Sequence, residues 1–520
     1  MRISLRLPAF RPATLRRAPV GLALAGAAAL GAAACNNDVN ITDPNAPSSQ
    51  TFWQSAGDAQ AGVTATYNTL LRTGTGQRWW AFANDLRSDI GTSTSPWAEL
   101  QAFVKFQFPS GYDFEVNREI WNHWFELISR ANLVTANVPA IQMADTTKAR
   151  LLGEAKFLRG LAYFNLVTLY GAAVPVITDP LTTTDRPASA DSAALFAQIE
   201  RDFSEAAAAL PRQLMSVSGG RATAGSAQGM LGKAQLQQKK WPAAAATLAP
   251  IVNGQYGAYA LVSDYASLFR QEGNNGRESL FEVQMGNVDL CGQGICGLNV
   301  SKMIGPCGPS YCDGLPTRWY YEQFLQERTT TGAVDPRLDA TLFYYRGPTT
   351  PVFNRTWAQR AAGDPNSPYR DTTRLFFKKY GEYYTDLVES TWEAPINYKV
   401  LRYADVLLMY AEALNEQGQS AAAATYVNQV RARVGLGALP ALGQAAMRAA
   451  ILKERLLEFG LEGQRWLDLG RKDLFTTDLA GLRARDPDFA TFEPGTSVVL
   501  PVPQRERNLN PNIRQNPGYR

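Results

Sequence analysis

The chain is poor in histidine, in charge and in long apolar runs. Its 520 residues contain one histidine, His123. That excludes multi-histidine metal sites and argues against histidine-based acid–base chemistry. His123 stands between Trp121 and Trp124 in an amphipathic stretch, so a packed structural role is expected. Charged residues make up 19% and aromatics 11%, which predicts a surface rich in neutral polar and aromatic groups. No phosphate-binding loop, G-x-S-x-G, H-E-x-x-H or dinucleotide fingerprint appears. A cofactor is therefore not expected, nor is a metal.

The formal charge of +4 misleads, because residues 1–34 carry five arginines and no acids. Without them 46 basic residues face 47 acidic ones, a net of −1. That balance lacks the basic footprint of a nucleic-acid binder. The apolar run 18–34 is too short and too alanine-rich to favour a membrane span. With the arginines before it and small residues at its end, it reads as a signal peptide over residues 1–34. Two cleavage readings follow. Ala32-Ala33-Ala34 fits an ordinary A-x-A site that releases a soluble chain. The same residues before Cys35 resemble a bacterial lipobox, whose cysteine is lipidated. The polar stretch 35–55 then serves as a tether, and lipidation accounts for the one cysteine left over from the cluster below.

The other four cysteines, Cys291, Cys296, Cys307 and Cys312, follow C-x4-C-x10-C-x4-C among many glycines. Zinc sites use tighter pairs, and an exported chain meets oxidising conditions, so two disulfides are expected. Three connectivities are open. Short-loop closure favours Cys291 with Cys296 and Cys307 with Cys312.

Helical periodicity dominates elsewhere. Apolar residues recur at three- and four-residue steps over 149–170, 191–210, 222–236, 242–253, 402–416, 420–430 and 444–469. Paired helices of about 30 to 35 residues have the period of tetratricopeptide-like units. The predicted fold is mainly α: about four such pairs with a long loop-rich insertion and minor β structure. A helical region spans 56–254. Residues 255–520 form a second region that packs with it into one body. Between about 255 and 400 the texture turns to Gly, Pro, Tyr and Trp with short β-prone runs such as Leu280-Phe281-Glu282-Val283. Such elaborated loops on a rigid scaffold are where binding sites concentrate.

Flat aromatic faces stack on sugar rings while neighbouring Asp, Asn and Arg side chains bind the hydroxyls. Trp79 and Trp80 are expected in a loop after the first helix, followed by Asp85, Arg87 and Trp97. A second aromatic group, Trp319, Tyr320 and Tyr321, follows the cysteine cluster. Replacing Trp79 or Trp80 by alanine is expected to weaken ligand binding without unfolding the helices. The dense charge run from Glu454 to Arg471 reads as a structural ion-pair network. The expected pairs are Arg402 with Glu412, Arg455 with Glu458, and Glu462 with Arg465.

Four motifs carry a resemblance. Residues 153–176 (GEAKFLRGLAYFNLVTLYGAAVPV), 396–415 (INYKVLRYADVLLMYAEALN), 451–473 (ILKERLLEFGLEGQRWLDLGRKD) and 508–519 (NLNPNIRQNPGY) are similar, in order, to motifs of the SusD/RagB family. The resemblance implies a lipoprotein on the outer leaflet of a bacterial outer membrane, facing the exterior. There it would capture nutrients, most often oligosaccharides, and cap a SusC-like TonB-dependent β-barrel transporter, without catalysis. It also implies that the segment holding Trp79, Trp80, Asp85 and Arg87 lines the ligand. Alternatives are a peptide or other nutrient binder of the same family, a secreted glycoside hydrolase, and a pure protein-binding scaffold. The last segment is expected to lie across the helices as a fixed tail, with Asn508, Asn510 and Asn516 satisfying backbone groups.

Overall fold

The computed structural model describes residues 52–108, 111–286, 296–385 and 391–519. The signal peptide, Cys35, most of the tether and Cys291 lie outside the described residues. Among the described residues, the scaffold is built by α1 (Ala56–Asn68), α2 (Glu115–Asn137), α3 (Asp145–Tyr170), α4 (Ser192–Ala209), α5 (Ala224–Gln237), α6 (Trp241–Val252), α7 (Tyr403–Glu416), α8 (Ser420–Arg433), α9 (Gln444–Phe459) and α10 (Arg465–Arg471), with shorter helices in the connecting loops. From α2 to α8 each helix packs on the next, and α9 closes on α7 and α8. The three-residue connections after α5 and α7 force antiparallel hairpins. This is the mainly α architecture that the periodicity predicted.

Local chemistry starts these helices where the sequence places its caps. Ser55 and Asp58 form a capping box at α1, Thr223 and Ser226 form one at α5, and Asp191 accepts from the Ala194 N–H at α4. Pro242 occupies the first turn of α6. Helices α3 and α4 approach closely because α3 offers Gly160. A Cβ there would lie 3.1 Å from the Phe203 ring.

The stretch 444–469 is not one helix. It stops at Phe459, crosses a short loop in which Leu461 (φ 61°) and Gly463 (φ 76°) are left-handed, and resumes as α10. Two long-range contacts impose the break. Any Cβ at Gly460 would collide with the Tyr320 hydroxyl, and the Gly463 N–H donates to Asp85 Oδ2 at 2.7 Å. Both halves face one core, so the apolar period runs on through the loop.

Among the described residues, eight short strands pair antiparallel in twos: β1 (Gly91–Thr92) with β3 (Leu315–Pro316), β2 (Ser279–Val283) with β8 (Tyr398–Arg402), β4 (Leu342–Phe343) with β7 (Phe376–Phe377), and β5 (Pro351–Val352) with β6 (Arg355–Thr356). The pair β2–β8 ties the start of the loop-rich region to the entrance of α7. Leu315, Phe343, Val352, Trp357, Tyr369 and Phe376 build a satellite core separate from the main one. Cys307 and Cys312 are joined by a disulfide that packs on that core. Cys296 is disulfide-bonded as well.

The charge run is an ion-pair network, but its partners differ from those expected. Arg402 binds Glu278, Glu458 and Glu462, and Arg337 binds Asp335, Glu454 and Glu458. Arg455 bridges Asp405 and Asp468, Glu412 takes Arg471 and Lys472, and Arg465 goes to Asp89. The expected pairs were drawn within or between helices from spacing alone. Most of the real ones join different elements, because these side chains point inward, while Arg337–Asp335 and Arg471–Asp468 are local. Burial opposes ionisation of Glu458, yet Arg433, Arg402 and Arg337 hold it well below the usual carboxylate range. In the tail, Asn510 and Asn516 donate to the carbonyls of Pro187, Tyr170 and Leu500. Asn508 instead accepts from Gln504.

Candidate functional site

The aromatic residues expected to form a ligand platform are mostly enclosed. Trp79 and Trp80 lie not in an open loop but between two wide helical turns, Thr73–Gln77 and Ala81–Leu86. Trp79 is 0% exposed and donates from Nε1 to Glu119 at 2.6 Å. Trp80 donates to the Gly76 carbonyl and stacks on Tyr398 at 3.9 Å. Both faces of these rings are spent on protein. Burial pushes the Asp85 carboxyl well above the usual carboxylate range, and its Oδ2 is held by Gly463. Arg87 lies over the Trp466 ring at 3.9 Å and donates to the carbonyls of Ser497 and Val498. Burial lowers its guanidinium to about 10. Tyr320 is 0% exposed, in the helix capped by Thr317. These five residues anchor the site's walls and offer no surface to a ligand in this structure. Four of the five are held by hydrogen bonds to other parts of the chain, Glu119 for Trp79, Gly76 for Trp80, Gly463 for Asp85 and Ser497 with Val498 for Arg87, and Tyr320 is buried beside Gly460.

Trp97 and Trp319 keep partial exposure. Trp97 meets Trp79 edge-on at 5.6 Å, and the Trp319 ring lies under the Arg485 guanidinium at 5.0 Å. The two regions singled out in the sequence do meet, through β1–β3 and the hydrogen bond from Thr317 Oγ1 to the Asp89 carbonyl (2.8 Å). Other residues face outward at that junction.

They line an open cleft of about 670 Å³. Three distant segments converge on it: the β1–β3 pair with Thr92, Thr94 and Arg318; residues 371–375; and residues 485–488. Arg485 is fixed from below by Asp89 (2.9 Å) and Asp478 (2.8 Å). Thr92 donates to Asp488 Oδ2 at 2.6 Å. Asp371 organises its turn by accepting from the Thr373 hydroxyl and N–H. Arg374 contributes a buried Nε without a hydrogen-bond partner. Asp486 is raised to about 7 by burial, with Asp488 and Asp89 adding to the rise. The cleft thus combines hydroxyls, guanidinium groups and a carboxyl that titrates near neutrality. Among the described residues no group of three His, Cys, Asp or Glu side chains could hold a metal ion.

Apart from Arg318, sequence reasoning missed these residues because none is aromatic. The available signals were the hydroxyl-rich runs Thr92-Ser93-Thr94-Ser95 and Asp371-Thr372-Thr373 and the turn Asp486-Pro487-Asp488. A further surface was also missed. Tyr311, inside the disulfide loop, is 58% exposed and meets Trp392 edge-on at 6.1 Å. His123 has the packed role expected, with Nδ1 accepting from the Gly74 N–H at 3.0 Å.

Residues 234–519 match the SusD family profile, and residues 47–236 match a profile described as starch-binding associating with outer membrane. The chain belongs to the SusD family. A solved laminarin-binding SusD-like protein is 31% identical, with a TM-score of 0.73 over 90% of this chain and 100% of that one. A SusD superfamily protein from Bacteroides vulgatus shares the fold at 22% identity, with a TM-score of 0.79 over 90% of this chain and all of its own. The SusD-like protein P38 of Formosa agariphila is 25% identical over 93% of this chain and 96% of its own length. No helix among the described residues is long and apolar enough to cross a membrane.

Proposed function

We propose that this SusD-family chain captures a glycan in the 670 Å³ cleft and hands it to a SusC-like TonB-dependent transporter without cleaving it. The observation that carries this reading is the cleft, whose hydroxyls, guanidinium groups and flanking Trp319 suit a polyhydroxylated ligand. Its size is within the range of ordinary ligand pockets. The laminarin-binding relative supports the class of ligand, and the profile named for outer-membrane association supports the location. Cys35 would carry the lipid, and residues 36–51 would hold the body off the outer leaflet. Trp97 and Trp319 would supply partly exposed rings at the rim, with Tyr311 further out.

Asp486 beside Asp488 is the arrangement a hydrolase would use, so the test must look for products. The mature chain is titrated with laminarihexaose by tryptophan fluorescence, and each mixture is chromatographed. Saturable quenching with intact oligosaccharide is expected. Arg374→Ala should weaken binding about tenfold, the loss of one charge-assisted hydrogen bond. Released shorter sugars would replace capture by hydrolysis. Equal affinity in Arg374→Ala and Arg485→Ala would remove the cleft as the site.

A further inference from the structure

A second cavity of about 420 Å³ is formed by residues of 263–270, 336–340, 378–383 and 433–435. Its charged lining is unevenly satisfied. The Asp264 carboxylate caps its own turn by accepting from the Ala266 N–H at 3.0 Å. The Asp339 carboxylate is held by Arg346 (2.9 Å) and the Tyr344 hydroxyl (2.8 Å). The anions of the cavity are therefore already occupied.

The cations are matched less completely. Among the described residues no carboxylate lies within 4.0 Å of Lys378 Nζ, which donates instead to the Asp339 main-chain carbonyl at 2.5 Å. The ammonium lies 4.3 Å from the Tyr383 ring centroid. Arg433 has a side chain only 3% exposed, and one nitrogen, Nη2, is spent on Glu458. Its Nη1 lies 3.6 Å from the Glu278 carboxylate, an ion pair without a hydrogen bond, and its Nε is buried with no hydrogen-bond partner. The Nε of Arg270 is likewise buried without a hydrogen-bond partner, while its Nη1 lies 3.7 Å from Glu272. A buried donor left unmade is costly, and two guanidinium groups with such donors beside an ammonium that has no carboxylate partner favour an anion there. Aromatic Tyr265 and Tyr383 supply flat walls.

We propose that this cavity binds an anionic substituent, the carboxylate of a uronate or a sulfate ester, with Lys378 as its counter-ion and Arg270 and Arg433 as further donors. The class of carrier rests on the glycan reading above, whereas the anion site does not. The two cavities share one segment: residues 371–375 line the first and Lys378 lines the second. A branched or decorated oligosaccharide would thus be read by neutral contacts in one place and by charge in the other. Burial lowers the Lys378 ammonium to about 8, so a bound anion should also restrain its loss of a proton.

The test is acylation footprinting of Lys378 in the full mature chain, read by peptide mass spectrometry. Inorganic sulfate, trigalacturonate and laminarihexaose serve as probes. Sulfate and trigalacturonate should each protect Lys378 from acylation, and laminarihexaose should not. Lys378→Gln should weaken trigalacturonate binding about tenfold and leave laminarihexaose affinity and the melting temperature unchanged. Arg270→Gln provides a second variant with the same expected pattern. Protection by neither anion overturns the site. Protection by sulfate but not trigalacturonate overturns its use for glycans. Loss of laminarihexaose binding in unmodified protein, with anion protection intact, would defeat the neutral-glycan reading and leave the anion site standing.

Discussion

Two regions of this molecule handle charge in opposite ways. Around the inner face of α9, Arg402, Arg337 and Arg455 are each met by two or three buried carboxylates. On the loop-rich side, Arg374, Arg270 and Lys378 line open cavities with donors or charges unspent. Saturated charge holds helices in register and has nothing left for a ligand. Unsaturated charge destabilises its own surroundings and is available for recognition. The same residue types therefore mean structure in one place and binding in the other, and geometry decides which.

The comparison breaks most visibly in the helical body. Arg402→Ala leaves three buried carboxylates without that cation and should cost about 3–5 kcal/mol, measured by urea unfolding. The same network fixes the acid limit. Asp405, Glu412 and Glu458 are buried, but their cations hold them below the usual range. Their contribution is present above about pH 4 and is lost as pH falls through the folded values. Trp79→Ala should cost a similar 3–5 kcal/mol, as cavity formation in a core position. A variant that bound ligand poorly yet melted normally would restore the platform role expected for Trp79.

The cleft should respond to pH with the reverse sign. Asp486 is raised to about 7 when folded, so its contribution is present below about pH 4 and declines as pH rises toward 7. Asp486→Asn should flatten that slope by roughly 2–3 kcal/mol, discounted because the cleft is open to water. Thermal unfolding at several pH values measures it. The Cys307–Cys312 disulfide closes only a short loop in the unfolded chain, so Cys307→Ser with Cys312→Ser should cost about 2 kcal/mol or less. Its effect should fall on ligand affinity more than on the helices, since the bond packs on the satellite core. The smallest effect is expected for Tyr311→Ala: a few-fold loss of affinity for long oligosaccharides, with an unchanged melting temperature, because the ring is exposed.

Most of the scaffold was legible in the chain itself. Apolar steps of three and four residues mark α3 to α8, and Thr223, Asp191 and Pro242 mark their starts. These signals are local, and helices are local structures. The split between α9 and α10 was not legible, because Gly460 and Gly463 answer to Tyr320 and Asp85 across the fold. Nor were the salt-bridge partners. A helix places Glu458 and Glu462 on one face, but which arginine reaches them depends on β8, α8 and the loop after Asp335.

The candidate site divides in the same way. Composition and motif order determined the class of fold, and short-loop spacing favoured Cys307 with Cys312. Aromatic content pointed to residues 79–97 and 319–321, where the fold encloses Trp79, Trp80 and Tyr320 and leaves Trp97 and Trp319 partly exposed. Only the tertiary structure decided which of them face water. Tryptophan is as good a core filler as a sugar platform, and a sequence shows the ring without showing what covers its faces. Here Arg78 lies over Trp79 and Tyr398 stacks on Trp80. Threonine, aspartate and arginine from three distant segments are left to line the cleft.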